Sequence, residues 1–122
     1  MASDLIALQG RWKVAELEVG GASMPASMFP EAEVTVTGDT FAAKGMGSVY
    51  TGKLVLAEDA GRKTFSLTFV QGPETGNVNH ALYELAGNRW RLCLDMKGGP
   101  APQTFATSAA NGYALETLIR ID

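Results

Sequence analysis

His80, Cys93 and Asp95 are the residues whose types could support nucleophilic chemistry. A carboxylate can orient a histidine as a general base, and a nearby thiolate can act as the nucleophile. The strand register derived below places His80 opposite Asp95, on the face that Tyr83 and Trp90 do not share. That face is the outside of a closed sheet, whereas reactive groups are expected in clefts. We therefore predict no catalytic residue in this set and interpret Cys93 as a small buried hydrophobe.

Metal, cofactor and nucleic-acid sites lack the residues that they need. One histidine, one cysteine and dispersed carboxylates do not form a ligand set for a transition metal. Four glutamates could offer oxygen ligands to a hard cation, but we interpret them as solvated charges: Glu16, Glu18, Glu31 and Glu33. The sequence contains no glycine-rich phosphate loop, and its net charge of −3 provides no basic surface for nucleic acid. We predict no metal, no cofactor and no nucleic-acid partner.

The composition is that of one ordinary folded domain, residues 1–122. Hydrophobic residues make up 46% of the chain and charged residues 19%, which provides a core without cross-links. The single cysteine excludes an internal disulfide. No run approaches the roughly 18 apolar residues of a membrane span. The first residues lack a basic-then-apolar leader, which predicts a cytoplasmic protein or the mature form of an exported one.

The elements that position these residues begin with an amphipathic segment that leads into a tryptophan. Ser3 and Asp4 favour a helix start, and the helix has an apolar side formed by Leu5, Ile6 and Leu8. Gly10 ends the helix, and Trp12 opens a strand whose apolar residues change phase, which predicts a bulge at Ala15-Glu16. This order is typical of a barrel that is plugged at one end, with the tryptophan filling the floor.

The rest of the chain alternates as a series of hairpins. Gly38-Asp39 and Gly87-Asn88 are two-residue turns with glycine first. The second turn pairs Leu85 with Trp90 on one face and Glu84 with Arg91 on the other, so opposite charges meet across the strands. Segment 63–70 alternates cleanly, and a short strand is expected around Phe105. The last strand, 113–121, alternates, and one of its faces is formed by Tyr113, Leu115, Thr117, Ile119 and Ile121.

Short turns between two-faced strands predict an all-β fold, an antiparallel up-and-down barrel of about eight strands with a short N-terminal helix plugging one end. The connections then alternate between a tight-turn end and a long-loop end. A barrel of this size can hold one small ligand in its mouth, and flexible thioethers adapt to apolar guests. The long-loop end receives all the methionines after the first. These methionines either plug the mouth by packing against each other or, as we predict, form a ligand site there with two inward aromatics. The predicted ligand-binding residues are Met24, Met28, Phe29, Met46, Tyr83, Trp90 and Met96.

Several motifs resemble one family. The opening Leu8-Gln9-Gly10-Arg11-Trp12-Lys13-Val14 is similar to the start of a small bacterial lipocalin-like domain, abundant in planctomycetes. Gly52-Lys53-Leu54, Tyr83-Glu84-Leu85-Ala86-Gly87-Asn88 and Leu92-Cys93-Leu94 resemble it in the same order. The resemblance implies a calycin-type β-barrel and no established activity, so no catalytic residue is carried over. The Thr-Asp-Tyr and arginine motifs of longer lipocalins are not evident in the chain.

The function predicted from the sequence is binding of a small, largely apolar molecule in the mouth of the barrel. The alternative is a small enzyme that acts on a hydrophobic substrate in the same mouth, with Tyr50, Tyr83 or a rim carboxylate as acid or base. A buried polar residue with a shifted pKa inside the barrel would favour the enzyme. A third hypothesis is a protein-interaction module, which a filled interior and a large exposed apolar patch would favour.

Overall fold

The computed structural model describes residues 2–45, 49–59, 61–72 and 75–121, and in that part of the chain nine strands follow one short helix. The helix α1 spans Ala2–Leu8, and a 3₁₀ turn spans Ala26–Met28. The strands are β1 (Gly10–Val19), β2 (Ala22–Met24), β3 (Glu33–Thr37), β4 (Thr40–Lys44), β5 (Tyr50–Asp59), β6 (Arg62–Gln71), β7 (Val78–Ala86), β8 (Arg89–Asp95) and β9 (Ala114–Arg120). Within these ranges no helix is long and apolar enough to cross a membrane.

Eight of the strands close into an antiparallel barrel. β1 pairs with β3, and each later strand pairs with the next as far as β9, which pairs back with β1. The remaining strand, β2, pairs with the end of β1. The predicted all-β, up-and-down barrel is therefore confirmed, together with its short N-terminal helix. Alternation along each strand then separates the inside of the barrel from its outside.

A β-bulge in β1 keeps the apolar residues of this strand on the inside. The pairing with β9 shifts register between Val14 and Glu16, which confirms the bulge predicted from the sequence. Trp12 and Leu17 both lie buried in the core as a result, although strict alternation would place positions 12 and 17 on opposite faces. The first residues of β1 pair with β3 and the last with β2, so the strand has two partners on one side.

The two hairpin registers are those expected from their turns. Val36 lies opposite Phe41 across the first turn, and Leu85 lies opposite Trp90 across the second. Glu84 faces Arg91 on the outside, and their charged groups approach to 3.4 Å. Gly87, the first residue of the second turn, has a φ of 58°, a conformation that only glycine adopts freely. A two-residue turn therefore fixes which side chains enter the barrel.

Trp12 closes the floor of the barrel. Its ring is fully buried, and its Nε1 donates a hydrogen bond of 2.9 Å to the carbonyl oxygen of Leu8 at the end of α1. The guanidinium of Arg120, on β9, lies 4.3 Å from the centroid of the Trp12 ring and makes a cation–π contact with it. The predicted plug is present, but Ile6 does not belong to its apolar side, because this residue is 73% exposed. A helix of two turns lies across the barrel end, so one of its sides stays in solvent.

The inner face of β9 is not the face that the sequence pattern singled out. That pattern groups Leu115, Ile119 and their alternate neighbours on one face of the strand. In the structure Leu118 is fully buried in the core and lies opposite Trp90, whereas Ile119 is 40% exposed. The side chains that enter the barrel from β9 are therefore Ala114, Glu116 and Leu118, because facing residues of an antiparallel pair share one side of the sheet.

The connection 96–113 explains why the outer face of β9 is also apolar. The strand expected around Phe105 is not present, and residues 101–113 are irregular. This segment packs on the outer wall instead: the Arg91 guanidinium lies 4.6 Å from the centre of the Phe105 ring. Arg62 donates a hydrogen bond of 2.9 Å to the carbonyl oxygen of Pro102, which is itself buried. Both faces of β8 and β9 therefore contact protein.

Candidate functional site

The long-loop end of the barrel contains a cavity of about 220 Å³. The two halves of the interior differ in the size of their side chains, which explains its position. Trp12, Trp90 and Phe65 fill the plugged half, where the Trp12 and Trp90 ring centroids lie 5.5 Å apart. Alanines at inward positions of β4 and β9, Ala43 and Ala114, leave space in the other half. The cavity is thus the part of the barrel that its own side chains do not fill.

The lining is mostly apolar. The largest apolar side chains at the cavity are Leu17, Phe41, Leu67, Phe69 and Leu94. Met96 stands at the entrance and is 50% exposed. Phe41 and Phe69 are almost completely buried, so their rings face the cavity rather than the solvent. Such a lining favours an apolar guest, because every contact replaces water on both surfaces.

Three polar side chains interrupt this lining: Tyr50, Asn79 and Glu116. Asn79 is 3% exposed, and Tyr50 is half-buried with its ring against Phe69 at 6.1 Å between centroids. None of the three side chains makes a hydrogen bond or an ion pair with another residue that the structure describes. Their hydrogen-bonding capacity is therefore directed at whatever occupies the cavity.

Glu116 is the ionisable group at the centre of this site. Its strand partners are Leu92 on β8 and Leu17 on β1, so both neighbours in the sheet are apolar. Burial raises the pKa of its carboxyl from 4.5 to about 7, because the charged form loses its hydration there. Glu116 is only partly exposed, and its exposed surface lines the cavity. At neutral pH the carboxyl is therefore divided between its neutral and charged forms.

The seven residues predicted to bind a ligand occupy several parts of the molecule. Met96 lines the cavity. Met24 and Phe29 are half-buried against the core without lining the cavity, and Met28 is 61% exposed. Met46 lies outside the described residues. The predicted end of the barrel is therefore the one with a cavity, but of the methionines described there only Met96 reaches it.

Tyr83 and Trp90 lie in the plugged half of the interior and do not line the cavity. The Tyr83 hydroxyl donates a hydrogen bond of 2.9 Å to the Asp4 carboxylate. The same carboxylate forms an ion pair with Lys63, with 3.0 Å between the charged atoms. The Lys63 hydrogen bond holds the pKa of Asp4 below its usual range, and burial raises the pKa of Tyr83. The polar end of Tyr83 therefore attaches α1 to the barrel. Trp90 Nε1 has no hydrogen-bond partner in the described chain and lies among aromatic rings.

Cys93, His80 and Asp95 occupy the outer wall, in the predicted register. His80 lies opposite Asp95, and Cys93 lies opposite Leu82. The thiol is completely buried under the connection 96–113, and burial raises the pKa of Cys93 to about 11. Asp95 accepts a hydrogen bond of 2.8 Å from the Lys97 amide. The thiol is thus protonated at neutral pH and separated from the cavity by the barrel wall.

A second depression, with its carboxylates, belongs to the outer surface. A depression of about 310 Å³ lies beside Lys13, Glu31 and Lys44, and it is larger than the cavity but polar and open to solvent. Glu33 pairs with Arg11 at 3.6 Å and with Lys44. Among the residues that the structure describes, no three metal-ligating side chains come together. The interior cavity is therefore the strongest candidate for a binding site.

Sequence reasoning missed Asn79 and Glu116, and it considered Tyr50 only as an acid or base. Glu116 was not considered, because the alternate residues of β9 are more apolar. One signal for the correct phase exists in the sequence: segment 98–113 contains no charged residue, so it needs a surface to cover.

Comparison with known proteins gave no match to any family model, curated protein or solved structure. The site geometry therefore carries the functional argument.

Proposed function

We propose that the protein binds a small, largely apolar molecule in the interior cavity at the long-loop end of the barrel. The observation that carries this proposal is the contrast between the two halves of the interior. One half is filled by aromatic side chains, and the other encloses about 220 Å³ behind Met96. A closed barrel with one open, apolar end is a rigid container for one small guest.

The size of the cavity limits the guest. Ligand pockets for drug-sized molecules are typically about 300–1,000 Å³, and this cavity is smaller at about 220 Å³. A guest that stays inside is therefore compact, and a longer guest extends past Met96 into solvent. Burial of about 200 Å² of apolar guest surface contributes on the order of 5 kcal/mol. Immobilising the guest costs about 4 kcal/mol or more, so the polar groups of the cavity decide whether binding is tight.

The barrel also supports the family proposal. An eight-stranded closed barrel with Gly10-Arg11-Trp12 at its plugged end agrees with the lipocalin-like domain that the sequence motifs resemble. We infer that the chain is a calycin-type binding domain of this bacterial class. The interaction-module hypothesis is disfavoured, because it requires an interior that is fully packed.

A second candidate function has one specific observation in its favour. Glu116 is a buried carboxyl inside the barrel whose pKa is raised to about 7, and a group that titrates there can act as a general acid or base. Catalysis also needs a nucleophile, or a water held beside the carboxyl, and a means of stabilising charge. Among the described lining residues only Tyr50 and Asn79 could assist Glu116. Binding therefore remains the simpler proposal.

Binding is tested with a neutral, environment-sensitive apolar dye and one pair of matched variants. Ala43 faces the cavity, whereas its neighbour Ala42 on the same strand faces outward. The change Ala43→Leu fills cavity volume and should reduce dye affinity at least tenfold. Ala42→Leu adds the same side chain outside and should leave the affinity unchanged. Equal dye binding by both variants, or no binding by the parent protein, would rule out this cavity as the site.

A further inference from the structure

We propose that the bound molecule carries one basic nitrogen, which binds as a cation to Glu116 while its apolar part fills the cavity. This inference rests on the binding function proposed above and names the chemical class of the guest. It depends on the position of one carboxyl group, on the aromatic lining and on the acceptor groups that share the cavity. Each of these is a separate observation.

The first observation is that Glu116 has no cationic partner among the residues that the structure describes. The described lining residues include no lysine, arginine or histidine. Lys97, at the same end of the barrel, lies instead against Gly112, where its Cε would be 3.4 Å from an added Cβ. A buried carboxylate without a partner is costly, because nothing replaces the water that it loses. A cationic guest removes this cost, whereas a neutral guest leaves it in place.

The second observation is the set of acceptor groups and rings around the carboxyl. Asn79 and Tyr50 line the same cavity, and neither side chain has a hydrogen-bond partner in the described chain, so the amide and hydroxyl oxygens can accept from a guest. An ammonium group has three N–H donors and no acceptor. The rings of Phe41 and Phe69 also line the cavity, and aromatic faces attract cations. The cavity is therefore rich in groups that complement a cation.

An acidic amphiphile fits poorly for the same reason. Its carboxylate would enter a cavity where the described charged group is Glu116, and two like charges in an apolar site repel strongly. A neutral apolar molecule would fit by shape but would leave the acceptors unused. The order of preference expected from the lining is amine, then alcohol, then carboxylate of the same size.

The protonation of Glu116 sets the direction of the pH dependence. The groups that face it are Leu92 from β8 and Leu17 from β1, with Tyr50 and Asn79 across the cavity, so no other described carboxyl or basic group titrates beside it. The carboxyl becomes charged as the pH rises through about 7. A guest that remains an ammonium up to about pH 10 therefore binds more tightly at pH 8 than at pH 6, by about tenfold.

The experiment compares three probes that share one apolar body: 4-phenylbutylamine, 4-phenylbutan-1-ol and 4-phenylbutyrate. Affinities are measured by calorimetry at pH 6 and pH 8 for the parent protein and for Glu116→Gln. The matched control is Glu58→Gln, which removes an exposed carboxyl from β5. In the parent and in the control, the amine should bind best and gain about tenfold from pH 6 to pH 8. Glu116→Gln should abolish both the amine preference and the pH dependence while the alcohol still binds.

The outcomes separate this inference from the function on which it rests. Equal affinity for amine and alcohol in the parent protein would overturn the inference and leave the binding function standing. Absence of binding by all three probes would overturn both. If Glu116→Gln fails to fold, NMR titration of the Glu116 carboxyl in the parent decides. Saturating amine should then lower its pKa, and an unchanged pKa would overturn the inference.

Discussion

Glu116 on β9 and Leu92 on β8 face each other in the antiparallel ladder, so the carboxyl shares one side of the sheet with a side chain that is 2% exposed. Strand pairing, rather than solvation, therefore decides where this carboxyl lies. The barrel maintains an ionisable group in an apolar interior at a cost in stability. A cost of this kind is typical of a functional site, where one residue departs from the pattern around it.

The stability of the protein should depend on pH through Glu116. Its pKa is about 7 when folded and near 4.5 when unfolded, so the folded state binds the proton more tightly. The contribution of Glu116 to the free energy of unfolding is therefore fully present below about pH 4.5. It decreases as the pH rises and is lost above about pH 7. The difference is on the order of 3 kcal/mol, since each pKa unit corresponds to about 1.4 kcal/mol. Urea melts across this range measure it.

Glu116→Gln removes the titration and serves as the direct comparison. The variant should lose this decline and be more stable than the parent above pH 7. Glu58→Gln, an exposed change of the same kind, should follow the parent curve. If the parent and Glu116→Gln showed the same pH dependence, the carboxyl would be hydrated in the folded state.

The registers of the hairpins could be predicted from the sequence because a two-residue turn leaves little freedom. Gly87-Asn88 determines that Leu85 faces Trp90, and a slip of one residue would place Arg91 and Glu84 inside the barrel. The bulge in β1 could be predicted for a similar reason, because its apolar residues change phase abruptly. Beside the turn and at the bulge the outward positions are charged, Glu84 and Arg91 in the hairpin and Glu16 in β1, so alternation carries the information there.

The phase of β9 could not be predicted because this strand is covered on both sides. Leu115 lies opposite Cys93 on the outer wall, beneath a connection whose residues 98–113 include no charged residue. Leu118 lies opposite Trp90 in the core. When both faces contact protein, the more apolar one is not necessarily the inner one. The candidate site was missed for this physical reason, since its ionisable group lies on the strand whose alternation is ambiguous.

Trp12→Ala should destabilise the protein by about 3–5 kcal/mol, as is usual for a large buried aromatic side chain. The ring fills the floor and donates to Leu8, so its loss leaves a void and an unpaired carbonyl group. Trp12→Phe fills part of the space and should cost less. Guest affinity per folded molecule should stay constant, because Trp12 does not line the cavity. A urea melt of Trp12→Ala that matches the parent would contradict the plugging role of the residue.

Tyr83→Phe separates attachment of the helix from ligand binding. The change removes the hydroxyl that donates to Asp4 and keeps the ring, so we expect a loss of about 1 kcal/mol. Probe affinity should not change, since the hydroxyl lies at the plugged end. The sequence-based prediction that Tyr83 binds the ligand gives the opposite result, a loss of probe affinity at nearly constant stability. Thermal melts and dye titrations of one preparation distinguish the two.

Cys93 should be unreactive in the folded protein. Its thiol is fully buried and its pKa is raised to about 11, so little thiolate forms at pH 8. A disulfide-exchange reagent should modify it slowly in native buffer and rapidly in denaturant. Fast modification in native buffer would mean that the connection 96–113 opens readily. The rate therefore reports how firmly this connection covers the outer wall.

Met96 and Met28 were both predicted from the sequence to bind the ligand at the long-loop end, and the structure separates them. Met96 lines the cavity, whereas Met28 is 61% exposed without lining it. Met96→Lys should therefore lower the affinity for a neutral apolar dye severalfold, because it places a charge at the entrance of the cavity. Met28→Lys should leave the affinity unchanged. Both variants should keep the parent melting temperature within a few degrees, because neither side chain is part of the packed core. Equal losses of affinity in the two variants would favour the site predicted from the sequence, in which both methionines bind the ligand, and unfolding of Met96→Lys would identify Met96 as core packing.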